Sequence, residues 1–151
     1  MNAGRLRVAT KSDGDDLLEL WALLFDERDA EAPWRTHAAE WFARYVDDPD
    51  TARFPVIEDD GAIVATAVGT LELGVPNPQC VRGRTVRLAN VITLPAHRGR
   101  GFGSALVLDV LEWARSIEAD RVDLSATPEG QRLYERLGFA HTKAPRLKLV
   151  L

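Results

Sequence analysis

A chain of 151 residues, 46% hydrophobic and 28% charged, is long enough for one domain with a buried core and too apolar to remain disordered. Its formal net charge of −4 argues against broad nucleic-acid binding, which needs a basic face. No apolar run approaches the roughly 18 residues of a bilayer span, and the opening MNAGRLRVATKSDGDD lacks the apolar centre of a secretion signal, so the expectation is a cytoplasmic protein with no membrane contact.

In chain order, RLRVAT alternates polar and apolar residues as a short strand does, and Ser12 and Asp13 supply helix-start chemistry. Leu17, Leu18, Leu20, Trp21, Leu24 and Phe25 then recur at helical spacing, with Asp13, Asp15, Asp16 and Glu19 suited to the positive amino end. The acidic piece DERDAEAP interrupts the pattern, and Trp34, Ala38, Trp41, Phe42 and Tyr45 restart it as a second helix whose aromatics read as core. RFPVIED, the turn DDG and AIVATAVGTLELGV predict two antiparallel strands joined by a hairpin. PNPQCVRG reads as a loop; its Cys80 is the sole cysteine, which excludes an intramolecular disulfide and a thiolate metal cluster, and no metal is expected. RTVRLANVITL predicts a strand that stops at Pro95. A glycine-rich loop follows and a helix runs from Gly101 to about Ile117. RVDLSAT predicts a further strand, and Thr127 with Pro128 after it predicts the capped start of a helix that Gly138 closes. FAHT and RLKLVL finish the chain as two expected strands. The order β, α, α, β, β, β, α, β, α, β, β places residues 1–151 in one α/β (α+β) domain, a mixed, mostly antiparallel sheet flanked by helices.

The stretch LPAHRGRGFGSALV, Leu94 to Val107, combines three glycines and two arginines just before apolar helical sequence. Glycines let backbone N–H groups approach a ligand, and the start of a helix offers unpaired N–H groups and partial positive charge, so an anion is the expected guest. A P-loop needs a lysine that this loop lacks. A dinucleotide fingerprint counted from Gly99 and Gly101 puts Ser104 at its third glycine, although Asp120 lies where a ribose ligand would be sought. The pattern present, Arg98-x-x-Gly101-x-Gly103 after a strand, resembles the signature of the GNAT family of N-acetyltransferases. TPEGQRLYERLGF, Thr127 to Phe139, is similar to the family's final motif, a short helix carrying a tyrosine and ending in Gly-Phe. The resemblance covers almost the whole chain, is strongest from Asn90 to Phe139, and is indistinct before about Arg53.

The resemblance implies a single GNAT-like domain with acetyl-CoA as cosubstrate, transferring an acetyl group directly to a primary amine. Val91 and Thr93, with Ile92 between them, would hold the pantetheine arm through main-chain groups, as one strand pairs with another. Gly99, Arg100, Gly101, Phe102, Gly103 and Ser104 would donate N–H groups to the pyrophosphate, with charge from Arg98 and Arg100. Tyr134 matches the family's proton donor to the leaving thiolate; a core aromatic is its plainer reading. Thr127 stands where many members have a cofactor-contacting asparagine. Some members carry a glutamate where this chain has Arg87, so a water-mediated base is expected, oriented by Glu72 ahead of Asp123. Asn90 can hydrogen-bond near the acyl group, and His37, His97 and His141 receive no role. The acceptor is a small-molecule or protein amine; Asp26, Glu27, Asp29, Glu31, Trp34 and Trp41 suit a cationic amine, although solvated acids and core tryptophans are the plainer reading. A non-catalytic acyl-CoA-binding sensor or subunit is the alternative function, and a homodimer is expected because dimers are common in the resembling family.

Overall fold

A computed structural model describes residues 4–151. Strand β1 (Arg5–Val8) leads through a 3-10 turn at Lys11–Asp13 into helix α1 (Gly14–Leu24), and helix α2 (Pro33–Tyr45) follows with proline in its first turn. The expected strand at RFPVIED is split at Phe54 into β2 (Ala52–Arg53) and β3 (Pro55–Asp59), and a turn at Asp60 and Gly61 connects it to β4 (Ala62–Leu73). Strand β5 (Arg84–Thr93), helix α3 (Phe102–Ser116), strand β6 (Arg121–Asp123) and helix α4 (Gln131–Arg136) complete the elements. The sheet order is β1-β3-β4-β5-β6, with β2 also paired to β4; every pairing is antiparallel except β5 with β6. The mixed, mostly antiparallel sheet is therefore as expected.

Helices cover both faces. Leu106, Val107, Val110 and Trp113 of α3 pack on Ala65, Ala67, Val86 and Leu88 of the sheet. Leu17, Leu20 and Trp21 of α1, with Phe42 and Val46 at α2, pack on Phe54, Val56 and Val68 from the other side. Each helix buries its apolar stripe, and the central strands, covered on both faces, carry near-continuous apolar runs. Arg53 ties β2 to α3 through two bonds of 2.9 Å to Asp109. Among the described residues no helix is long and apolar enough to cross a membrane.

Three expectations are corrected. FAHT and RLKLVL form no strands: residues 140–151 are exposed, Leu147 at 91% and Leu149 at 84%, and the segment pairs with no strand among the described residues. RVDLSAT is a strand only over its first three residues: it pairs with Thr85, Val86 and Arg87 of β5, and the chain leaves the sheet after Asp123. The last helix starts at Gln131 rather than Pro128; Thr127 instead caps a turn, accepting the Gly130 N–H on Oγ1 and on its carbonyl at 3.3 and 3.0 Å.

Asp13 anchors the entry to α1. Its buried carboxylate accepts bonds from Arg7 at 2.8 and 3.0 Å and from the Thr10 N–H at 2.8 Å. Asp13→Ala leaves Arg7 and the Thr10 amide short of a partner, for an expected loss of about 2–3 kcal/mol and a melting point lower by roughly 5–10 °C. The Arg7 guanidinium holds the Asp13 carboxyl below its ordinary range. The stability it contributes is therefore present above the unfolded carboxyl value near pH 4 and lost as pH falls through the folded one. Melting curves of both proteins between pH 3 and 7 check this: the difference shrinks with acid, and a constant difference would refute the assignment.

Candidate functional site

The site begins where β5 breaks register. Val68 pairs with Ala89 and Thr66 with Ile92, so Asn90 and Val91 together face the single residue Ala67. This bulge holds Asn90 at a φ of +52°, a left-handed conformation that asparagine tolerates better than most residues. Past the bulge the Leu94 N–H bonds the Val64 carbonyl at 2.8 Å. Alternation along the strand then turns Ile92 toward β4 and turns the N–H and C=O groups of Val91 and Thr93 to the opposite edge. That edge has lost its neighbour: β6 pairs with Thr85, Val86 and Arg87 alone, and the chain after Asp123 leaves the sheet. A wedge opens between Leu88–Thr93 and the segment from Leu124, its base bridged by Arg87 to the Ser125 hydroxyl at 3.3 Å. The wedge can take an extended ligand with amide groups as a missing strand.

The edge runs into the glycine loop. Gly99 and Gly101 have φ of +77° and +79°, which L side chains rarely adopt, and a Cβ on either would meet no protein atom within 4 Å. Gly101 caps α3 and accepts the Ala105 N–H at 3.1 Å, which leaves the N–H groups of Phe102, Gly103 and Ser104 without helical partners. No acidic residue occupies that first turn. These amides and the helix dipole suit a diphosphate. Gly103 has a different reason to be small: its Cβ would lie 3.4 Å from Leu133 of α4, so it sets the α3–α4 contact rather than an open approach. The Phe102 ring is buried in the core, leaving only its backbone to the loop. Arg98 donates to the Thr93 carbonyl at 3.3 Å, bracing the loop against the open edge. Arg100 is held by Asp59 at 3.3 Å, and His97 reaches the same carboxylate at 3.4 Å. Asp120, the residue a dinucleotide reading would need, instead accepts the N–H groups of Arg82 and Arg84 at 2.9 and 3.1 Å and closes the Cys80 loop.

Tyr134 lines a cleft of about 220 Å³ with Leu124 and Ala126, the segment that departs from the wedge. Its ring packs edge-on against Phe139 at 5.8 Å. Burial pushes the phenol above its ordinary value, which keeps it a proton donor at neutral pH. Glu72 sits apart: it pairs with Thr85 near the far end of β4 and lines a cleft of about 410 Å³ with Arg87, Asp123 and Ser125.

Sequence reasoning named Trp34 and Trp41 as suited to an amine but did not join them to Trp21 and Phe25. A cleft of about 540 Å³ lies between α1, α2 and the bulge, walled by Trp21, Phe25, Trp34 and Trp41 and reaching Ala89 and Asn90. Trp34 and Trp41 thus line a cleft as well as packing on the core. Asn90 makes no side-chain hydrogen bond among the described residues, so its amide is free at the junction of cleft and wedge.

The model of the acetyltransferase (GNAT) family matches residues 15–139. Glucosamine 6-phosphate N-acetyltransferase of Trypanosoma brucei brucei is 38% identical over 85 residues, covering 54% of this chain and 57% of that protein. An uncharacterized N-acetyltransferase of Methanocaldococcus jannaschii is 28% identical over 138 residues, 89% of this chain and 59% of that one. The chain therefore spans somewhat over half the length of these curated relatives. A predicted acetyltransferase of Clostridium acetobutylicum, solved with acetyl-CoA, superposes with a TM-score of 0.86 at 20% identity, covering 98% of this chain and 96% of that one, a likeness of fold.

Proposed function

Because the chain belongs to the GNAT acetyltransferase family, we propose that it transfers an acetyl group from acetyl-CoA to a primary amine by direct attack. The observation that carries this reading is the unpaired edge at Val91 and Thr93 leading into the bare N–H groups of Gly99–Ser104. An edge strand suits the pantetheine amides, and the helix start suits the pyrophosphate, with Arg98 adding charge beside both. Acetyl-CoA supplies the acyl group as a thioester when bound. Asn90 orients that group at the bulge, and Tyr134 donates the proton that the leaving sulfur collects. The incoming ammonium must first lose a proton; Glu72, two residues along β4 from the cleft-lining Thr70, receives it through water. Arg100, half neutralised by Asp59, contributes less to the pyrophosphate than Arg98.

The test is thermal unfolding with acetyl-CoA, with nicotinamide cofactors as controls. Ligand at a hundred times its dissociation constant stabilises the folded state by about 2.7 kcal/mol, a rise of roughly 5–10 °C for a chain of this size. A rise specific to acetyl-CoA is expected, and none at saturating ligand would sink both catalysis and the sensor alternative.

We propose also that two copies associate through the C-terminal segment. Leu147, Leu149 and Leu151 alternate along it, all exposed, and the sheet ends at β6 with an unpaired edge. Light scattering of the chain shortened after Pro145 would then report a loss of dimer.

A further inference from the structure

We infer that the aromatic cleft seats an amine borne on a flat, uncharged apolar body, so that the acceptor is an arylalkylamine-like molecule rather than a sugar phosphate or a polyamine. The inference rests on the acetyl-transfer reading and deepens it. The cleft has the size of a small-molecule site, and its mouth opens at Asn90, beside the edge assigned to the pantetheine arm. Its wall is made of four aromatic rings, and no Asp, Glu, Lys or Arg side chain lines it.

That absence discriminates between acceptors. A phosphate or carboxylate on the acceptor would surrender its hydration with no cation to receive it, and a second ammonium would enter with no carboxylate to meet it. Several charges nearby in sequence are engaged elsewhere. Arg35 is paired with Glu19 at 2.8 Å and lies over the Trp34 ring at 5.6 Å. Glu27 and Asp29 accept the N–H groups of Asp29 and Glu31, each at 2.9 Å, within the loop between α1 and α2. The acidic loop thus holds its own shape instead of reaching into the cleft.

What the cleft does offer is apolar. Phe25 at the end of α1 is 63% exposed, a large ring presented at the cleft with no cover from its own chain. Aromatic faces attract a single ammonium, and His37, the one lining side chain that can take up a proton, stands among them. One charge lost on deprotonation is compatible with this lining, whereas a permanent second charge is not.

The test compares 2-phenylethylamine with glucosamine 6-phosphate and spermidine in acetyl-CoA-dependent thiol release, and separately follows quenching of tryptophan fluorescence by 2-phenylethylamine alone. The expected result is a kcat/KM at least about tenfold higher for 2-phenylethylamine, together with saturable quenching. Phe25→Ala, at an exposed position that the fold does not need, and Trp34→Ala should each raise the KM for 2-phenylethylamine about tenfold without moving the acetyl-CoA-induced melting shift. Trp34→Phe should recover most of that loss. Preference for glucosamine 6-phosphate or spermidine, or no quenching by 2-phenylethylamine, overturns the inference. Quenching without any acetyl-CoA shift would instead remove the transferase reading and leave the cleft as a site for apolar amines.

Discussion

Tyr134→Phe should lower kcat about a hundredfold or more while acetyl-CoA binds as before, the usual range for loss of a positioned proton donor. The substitution is chosen because it deletes one oxygen and retains the ring, whose edge-on contact with Phe139 and place against the α3-side core are what α4 contributes to folding. The melting point should therefore hardly move. Since burial raises the phenol's ionisation above its ordinary value near 10, the native enzyme should keep its donor through neutral and mildly alkaline pH. Any fall in rate on that side then belongs to another group. An unchanged kcat in the phenylalanine variant would reduce Tyr134 to a packing residue. Acetyl-CoA binding with no turnover in the native protein, across a broad set of amines, would favour the sensor alternative.

The second large effect is expected at the loop. Gly101→Val places a β-branched residue at a φ of +79°, a conformation that costs roughly 1–2 kcal/mol for any side chain and more for a branched one. No protein atom lies within 4 Å of its Cβ, so the added methyl groups enter the space assigned to the ligand instead of the core. Titration calorimetry should show acetyl-CoA affinity weakened about a hundredfold, with the melting point lowered by the several degrees that the strain itself costs. Gly103→Ala separates motif from mechanism. Its φ is ordinary and its Cβ would make a normal contact with Leu133, so it should weaken binding far less than Gly101→Ala, although both glycines belong to the same sequence pattern. Equal effects at the two positions would contradict the division of labour described above.

Much of the architecture was legible because it rests on local signals. Helical spacing of Leu17, Leu20 and Trp21, the hairpin turn between β3 and β4, and the glycines before α3 act within a few residues and survive in the structure. The motif around Arg98 and Gly101 led to the loop, and the one with Tyr134 to α4, for the same reason. Expectations failed where an element depends on a partner distant in the chain. RLKLVL has the pattern of a strand, but a strand is made by pairing, and among the described residues this segment pairs with none. β6 pairs with β5 only over Thr85–Arg87, a limit that no feature of RVDLSAT itself records.

By itself, then, the sequence determined the mixed-sheet domain, the glycine loop at the start of α3 and the residues proposed to meet acetyl-CoA, all encoded in short-range spacing and backbone preference. The tertiary structure alone decided which N–H and C=O groups of β5 remain unpaired, that Gly103 serves packing, that Glu72 stands in a neighbouring cleft, and that tryptophans of two helices form one uncharged wall. The physical reason is that pairing, splay and enclosure are properties of surfaces brought together by packing, and a side chain's periodicity tells which face it occupies but not what that face meets.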